Sequence, residues 1–320
     1  MKKIVCDITQ LTDAHRSRIA WAAEARGYEF RFCEDEASAL AGAANAEILL
    51  TASTKLSRAA KSLKWLCVPS AGVEPYLPDE VYGNPGAMLT NSSGAYGVTI
   101  AEHTVMVTLQ MMRRQPEYAA VVAQRRWQRN LPMRSIKNSR VTLLGTGDIG
   151  TEAAKRLAAF GPASITGVNR SGKRPGKAFD RVVPISELDR VLPDTDLLVM
   201  ALPGTADTAN LMDARRLALL PDTAYLVNVG RGSTLDQELL VQMLASGRLA
   251  GAALDVFKTE PLPQDDPLWS CPRLVLTPHV AGDMALPWTV DRIVEMFIED
   301  FERYCEGKPM LRAVNRRIGY

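Results

Sequence analysis

Short apolar runs alternate with helix-like segments along the whole chain. In the first hundred residues, stretches 3–6, 28–32, 47–50, 65–68 and 88–90 read as strands. Ala-rich or mixed segments such as 37–46 and 57–62 lie between them. This alternation predicts a parallel α/β sheet. From Glu102 to about Gln124, apolar positions including Val105, Met106, Leu109 and Met112 predict one long helix. A basic, irregular stretch follows, with Arg125-Arg126-Trp127 and Arg134-Ser135-Ile136-Lys137. A second α/β series begins at Val141, with strands expected at 141–144, 164–168, 196–200, 224–228, 251–256 and 274–276. Six such runs match the strand number of a doubly wound dinucleotide fold. A final helix, about 287–304, leads to a tail ending Val314-Asn315-Arg316-Arg317. No solenoid-period repeat and no low-complexity segment interrupts this plan.

Gly145-Thr146-Gly147-Asp148-Ile149-Gly150 joins the first strand of the second series to a helical pattern with Ala153, Ala154, Leu157 and Ala158 on one side. A bare G-x-G-x-x-G is weak evidence, but strand, glycine turn and helix together are the context a dinucleotide fingerprint requires. Gly145 permits the tight turn. Gly147 lets the backbone approach a pyrophosphate. Gly150 lets the helix sit close to its strand, and the free N–H groups of the helix N-terminus face the phosphates. The mid-chain position puts a complete α/β unit before the nucleotide domain, so the first unit is expected to handle substrate.

Composition narrows the class. With 320 residues, the chain is long enough for two domains with separate cores. A formal net charge of +2 gives no field-strength argument for nucleic acid or a membrane surface, and neither is expected as a partner. Cys6, Cys33, Cys67, Cys271 and Cys305 are dispersed without a C-x-x-C pair, which reads as free thiols in a reducing compartment. No signal-peptide layout opens the sequence and no apolar stretch approaches membrane-spanning length, so a cytoplasmic location is expected. No metal is called for.

NAD-binding folds of this kind usually carry an acid about 20 residues past the glycines, accepting from the ribose 2′-hydroxyl. Here Asn169-Arg170-Ser171-Gly172-Lys173-Arg174 takes that place. A carboxylate would repel a 2′-phosphate. Arg170 or Arg174 could pair with one, and Ser171 could donate to it. A solvated basic loop is the competing reading. The expected cofactor is NADP(H), with NAD(H) possible.

Three ionisable groups sit just past three strand ends of the second series: Arg231 in Gly230-Arg231-Gly232, Glu260 in Thr259-Glu260-Pro261, and His279 in Thr277-Pro278-His279-Val280. In an open α/β sheet the carboxyl ends of the strands face the ligand crevice. Reduction of a 2-keto acid needs this set. Histidine suits protonation of the carbonyl oxygen. A carboxylate bonded to the imidazole holds its tautomer and stabilises the imidazolium. An arginine can hold the substrate carboxylate and polarise the carbonyl. Each motif taken alone is more often structural; their joint placement carries the inference.

The whole chain resembles the D-isomer-specific 2-hydroxyacid dehydrogenase family, which includes glyoxylate/hydroxypyruvate reductases. The matching segments are 145–150, 228–236 running into Leu239-Leu240, 251–263 and 277–282, with Ser70-Ala71-Gly72-Val73-Glu74 and Ala101-Glu102-His103 earlier. The resemblance implies an α/β chain of two doubly wound domains: a Rossmann-type cofactor domain (103–286) inserted into a flavodoxin-like substrate domain (1–102 with 287–320). It implies Arg231 as the substrate-binding arginine, Glu260 as the histidine's partner and His279 as acid/base. It also implies that Ala71, Gly72 and Val73 present N–H groups to the substrate carboxylate. The cofactor set becomes Gly145, Thr146, Gly147, Asp148, Ile149, Gly150, Asn169, Arg170, Ser171, Arg174, Leu202, Pro203, Val229 and Asp255. A homodimer through about 102–134 is implied as well, with Trp127 directed toward the partner subunit.

Departures from the pattern count too. Asn169 stands where NAD-using members carry an acid. Tyr96 interrupts Ser93-Gly94-Ala95-Tyr96-Gly97. The chain ends soon after the last helix, so no regulatory domain is expected. His103 reads as structural, and His15 carries no functional signal. The reading is an NADP(H)-preferring reductase of small 2-keto acids, glyoxylate and hydroxypyruvate first. A cofactor-binding sensor or corepressor without turnover is the alternative from another class, and an enzyme acting on formate or phosphite is a third.

Overall fold

A computed structural model describes residues 1–173 and 176–319; Arg174, one of the cations expected at the nucleotide, lies outside the described residues. In chain order the elements are β1 (Lys2–Cys6), α1 (Asp13–Glu24), β2 (Tyr28–Phe32), α2 (Glu36–Ala43), β3 (Ile48–Leu50), α3 (Thr54–Ala59), β4 (Trp65–Cys67), β5 (Met88–Thr90), α4 (Gly97–Met112), α5 (Gln115–Ala123), β6 (Arg140–Leu144), α6 (Asp148–Ala158), β7 (Ser164–Asn169), β8 (Arg181–Pro184), α7 (Leu188–Val191), β9 (Leu197–Met200), α8 (Ala214–Leu217), β10 (Tyr225–Asn228), α9 (Gln237–Ser246), β11 (Gly251–Leu254), β12 (Leu274–Leu276) and α10 (Pro287–Cys305). They form two compact units: Met1–Tyr96 with the chain from Asp283 onward, and Gly97–Gly282. The sequence reading put the first boundary at residue 102, inside α4. That helix is continuous from Gly97, so the division falls at its start.

The first unit is a five-stranded sheet in the order β2-β1-β3-β4-β5, with every pair parallel. This is the flavodoxin-like strand order. Side chains alternate across it. Ile4, Cys6, Ile48, Leu50 and Trp65 pack with Val290, Val294, Phe297 and Phe301 of α10, while Val5, Leu49 and Leu66 serve the opposite face. The apolar residues of α10 recur at helical spacing, which is why the chain's last helix closes this core. Trp65 stacks on Phe297 with centroids 5.2 Å apart, and its indole Nε1–H donates to Thr90 Oγ1 at 2.8 Å, so the buried ring keeps a polar partner.

The second unit is a seven-stranded parallel sheet in the order β12-β11-β10-β9-β6-β7-β8. Six strands were expected; the seventh, β8, is a four-residue edge strand beginning at an exposed Arg181 and ending in Pro184, with little apolar signal. The expected single helix over 102–124 is two. Arg114 adopts a left-handed backbone (φ 58°) between α4 and α5, and Pro116 sits in the first turn of α5, where it starts a helix rather than continuing one. Among the described residues no helix is long and apolar enough to cross a membrane.

Candidate active site

The order of the second sheet reverses between β6 and β9, the switch point at which doubly wound folds open a crevice beyond the carboxyl ends of the strands. Nearly every predicted residue of this unit lies on that rim. Gly145–Gly150 follow β6 and Asn169 ends β7. Leu202 and Pro203 follow β9, and Val229 and Arg231 follow β10. Asp255 and Glu260 follow β11, and His279 follows β12.

The glycine turn is built by close backbone approach. Gly145 has φ +99°, and a Cβ there would lie 2.5 Å from Ala201 O. A Cβ on Gly150 would lie 2.0 Å from Gly145 O. Neither position accepts a side chain. Gly147, the N-cap of α6, is different: a Cβ there meets nothing within 4 Å. A helix N-terminus with open space over it suits a pyrophosphate. Asp148 points elsewhere, its carboxylate packing against Gly97 at the start of α4.

Asn169 organises the next loop. Its Oδ1 accepts from the N–H groups of Ser171 (3.1 Å) and Gly172 (2.7 Å), and its Nδ2 donates to Thr146 Oγ1 (2.8 Å) and Lys173 O (2.9 Å). One amide therefore shapes the 169–173 turn and fastens it to the glycine loop. Arg170, Ser171 and Lys173 are exposed on that turn.

The other half of the rim carries the ionisable groups. Glu260 Oε1 accepts the Phe257 N–H at 2.8 Å, which aims Oε2 at His279 Nδ1, 2.6 Å away. The His279 side chain is 47% exposed, so the imidazole is open to a ligand while Nδ1 is held. Its backbone is left-handed (φ +54°), a conformation that costs a non-glycine residue about 1–2 kcal/mol and needs support. Asp255 provides it. This carboxylate is 3% exposed; Oδ1 accepts from Thr277 Oγ1 (2.6 Å) and the Val280 N–H (3.0 Å), and Oδ2 from the Ala281 N–H (3.0 Å). The residues flanking His279 are thus tied to one buried anion. Arg231 is half-buried on the neighbouring strand end, and its Nη1 donates to Gly230 O at 2.8 Å. Asn228 and Thr234 both donate to Arg231 O, at 3.0 and 2.7 Å, fixing its backbone.

Ala71, Gly72 and Val73 belong to the first unit, after β4. Asn91 Nδ2 donates to Ala71 O and Ser70 Oγ to Gly72 O, at 2.8 and 2.7 Å. The carbonyls of Ala71 and Gly72 are thus both engaged by side chains of the same unit. Tyr96, of unread role in the sequence, is buried, and its hydroxyl donates to Pro69 O beside this loop.

The family model described as D-isomer specific 2-hydroxyacid dehydrogenase, NAD binding domain, matches residues 105–281. The chain belongs to this family. The match lies wholly within the second unit. Glyoxylate/hydroxypyruvate reductase A of Klebsiella pneumoniae strain 342 is 36% identical over 225 residues, covering 70% of each chain. A crystal structure of a D-isomer specific 2-hydroxyacid dehydrogenase family protein from Aeromonas salmonicida superposes with a TM-score of 0.87 at 30% identity, covering 98% of this chain and 99% of that one. That of the NADPH-dependent glyoxylate/hydroxypyruvate reductase of Sinorhizobium meliloti, in complex with NADP and sulfate, gives 0.83 at 26% identity over 100% of both. For a dehydrogenase of this family, the open cradle at Gly147 and the exposed hydroxyl and cation of 170–171 are donors of the right kind for a phosphorylated dinucleotide.

His103, read from the sequence as structural, has its Nε2 3.2 Å from Thr277 Oγ1, a contact the sequence did not announce. No local signal on α4 marks it, because its partner lies 174 residues away.

Proposed function

We propose that this protein reduces a small 2-keto acid, glyoxylate or hydroxypyruvate first, to the D-2-hydroxy acid with NADP(H) preferred over NAD(H). The observation that carries the reading is the 2.6 Å contact between Glu260 Oε2 and His279 Nδ1 at the carboxyl rim of a dinucleotide-binding sheet. Bound NADPH supplies the hydride that the keto carbon takes up. With Nδ1–H directed at the Glu260 carboxylate, the acid form of His279 is the imidazolium, and Nε2–H is the proton given to the carbonyl oxygen. Proton loss leaves the neutral Nδ1–H tautomer, still held by Glu260. Arg231 is assigned the substrate carboxylate and the charge that develops on the carbonyl oxygen; the N–H groups of Ala71, Gly72 and Val73 are likewise assigned to a carboxylate.

Thr146, Ile149, Leu202, Pro203 and Val229 line the cofactor half, with Asp148 contributing through its backbone; Asp255, expected at the cofactor, is instead buried under the 277–281 loop and supports His279. The turn 169–173 reads the adenosine ribose: Arg170 and Ser171 suit a 2′-phosphate, and Asn169 places no negative charge there. The names of the Klebsiella and Sinorhizobium relatives support the substrate class, and the latter's complex supports NADP. The exposed Met106, Val122, Trp127 and Met133 on α4, α5 and the stretch after them suit a homodimer interface. Five free cysteines suit a reducing cytoplasm.

The test is NADPH and NADH oxidation across a panel from glyoxylate and hydroxypyruvate to phenylpyruvate and 2-ketoisocaproate. Turnover of a small keto acid favouring NADPH is the expected result. Tight NADPH binding with no turnover anywhere on the panel would replace the enzyme with a cofactor-binding sensor.

A further inference from the structure

His103 sits on α4 with its side chain 11% exposed. Thr277 Oγ1 donates its only proton to Asp255 Oδ1 at 2.6 Å. The same oxygen lies 3.2 Å from His103 Nε2, so it must accept there and His103 must donate. Asp255 Oδ1 is 3.9 Å from that nitrogen, beyond hydrogen-bond range. The result is one directed chain: His103 Nε2–H to Thr277 Oγ1, Thr277 Oγ1–H to Asp255, and Asp255 to the N–H groups of Val280 and Ala281. Thr277 precedes His279 and Val280 follows it, and His279, whose own N–H donates to Thr277 O at 2.9 Å, has a left-handed backbone.

We infer that His103 is a positioning residue for His279, fixing the imidazole against Glu260 through Thr277 and Asp255. The inference rests on the assignment of His279 as proton donor. Burial lowers the pKa of His103 against the opposing pull of Asp255, which favours a neutral ring whose single proton is on Nε2. Without that donor, Thr277 Oγ1 loses the group that orients its hydroxyl, Asp255 is held by one fewer oriented dipole, and the loop gains freedom about His279. Misplacement of a reacting group by about 1 Å can cost on the order of 100-fold in rate.

The chain has three histidines, His15, His103 and His279, so the imidazole nitrogens of a histidine-labelled sample are separable by NMR. His103→Leu is expected to shift the His279 ring resonances and leave those of His15 in place. His103→Gln, whose amide can donate to Thr277, is expected to restore them, and Thr277→Val to reproduce the loss without touching α4. On a keto acid that the wild type reduces, His103→Leu should lower kcat on the order of 10–100-fold with NADPH affinity unchanged, and His103→Gln should recover most of it. Unmoved His279 resonances in both His103→Leu and Thr277→Val would overturn the inference. So would equal impairment of His103→Gln and His103→Leu, because packing alone would then explain the loss. If the wild type reduces no keto acid, the functional reading fails, and the NMR comparison by itself still decides whether His103 positions His279.

Discussion

The two halves of the second sheet's carboxyl rim do their work by different means. On the β6–β7 side the site is made of backbone: glycines that admit no side chain, a helix N-terminus, and one amide, Asn169, that folds a turn. On the β10–β12 side it is made of side chains: Arg231, Glu260 and His279, with Asp255 buried beneath the loop. Under the proposed function, the polyanionic cofactor would be met by fixed N–H groups of the backbone, and the single proton transfer by one imidazole whose Nδ1 is held by Glu260. Substitutions on the first side should therefore act through sterics and binding, and those on the second through rate.

The largest separation of the two halves is expected from His279→Ala. Loss of the proton donor should reduce kcat on the order of 10²–10⁴-fold, while NADPH affinity measured by fluorescence titration stays at the wild-type value. A variant that turned over at a near-normal rate would take His279 out of the chemistry. Gly150→Ala is the converse. Its Cβ would sit 2.0 Å from Gly145 O, so the α6 start must move off the turn. NADPH affinity should fall by more than about 10-fold and unfolding free energy by about 1–3 kcal/mol. Normal affinity with normal stability would show that the turn has slack the geometry does not display.

Asn169→Asp with Arg170→Ala addresses the cofactor half more gently. The preference should move toward NADH by on the order of 10-fold, since a charged hydrogen bond to phosphate is removed and a carboxylate installed. The structure sharpens this expectation. An aspartate cannot donate to Lys173 O, so the turn itself loosens and both coenzymes should bind less tightly than to the wild type. An unchanged NADPH-to-NADH ratio would dissociate this turn from the 2′-phosphate.

The backbone half was the more legible in the sequence, because phosphate binding demands glycines at fixed spacing after a strand. The acid half was legible as residue types at strand ends, from which the Glu260–His279 pairing followed. What stayed hidden was how these residues join. Asp255 was expected at the cofactor and Thr277 only within a matching segment, while His103 reads as one polar position on an apolar helix; only the packing of α4 brings its ring to Thr277, and Thr277 to Asp255. Likewise β8 carries too few apolar residues to announce itself. The break at Arg114 is set by a left-handed backbone that no residue type there demands.

The smallest expected effect lies at the amino ends of β6 and β9. Arg140 opens β6, and its guanidinium grips Asp196, just before β9, through Nε (3.1 Å) and Nη2 (3.0 Å), while its backbone N–H donates to the same carboxylate at 2.8 Å. The Arg140 hydrogen bond is the main reason the Asp196 carboxyl is held below its ordinary value of 3.8, with burial opposing it. Both side chains are partly solvated, so the ion pair should contribute only about 0.5–1 kcal/mol. A depressed carboxylate pKa means that the unfolded chain binds the proton more readily. The contribution is therefore full above the ordinary Asp value and is lost as pH falls below it through the folded value. Asp196→Asn should accordingly lower stability in urea unfolding at pH 7 by about that amount. The gap should be the same at pH 6 and should close in acid below the ordinary carboxylate range. NADPH affinity and kcat at pH 7 should not change, because this pair lies at the amino ends of its strands and the proposed site at the carboxyl ends. A gap that persisted in strong acid would assign the loss to the backbone hydrogen bond rather than to charge. A change in kcat would mean that the two ends of the sheet are not independent.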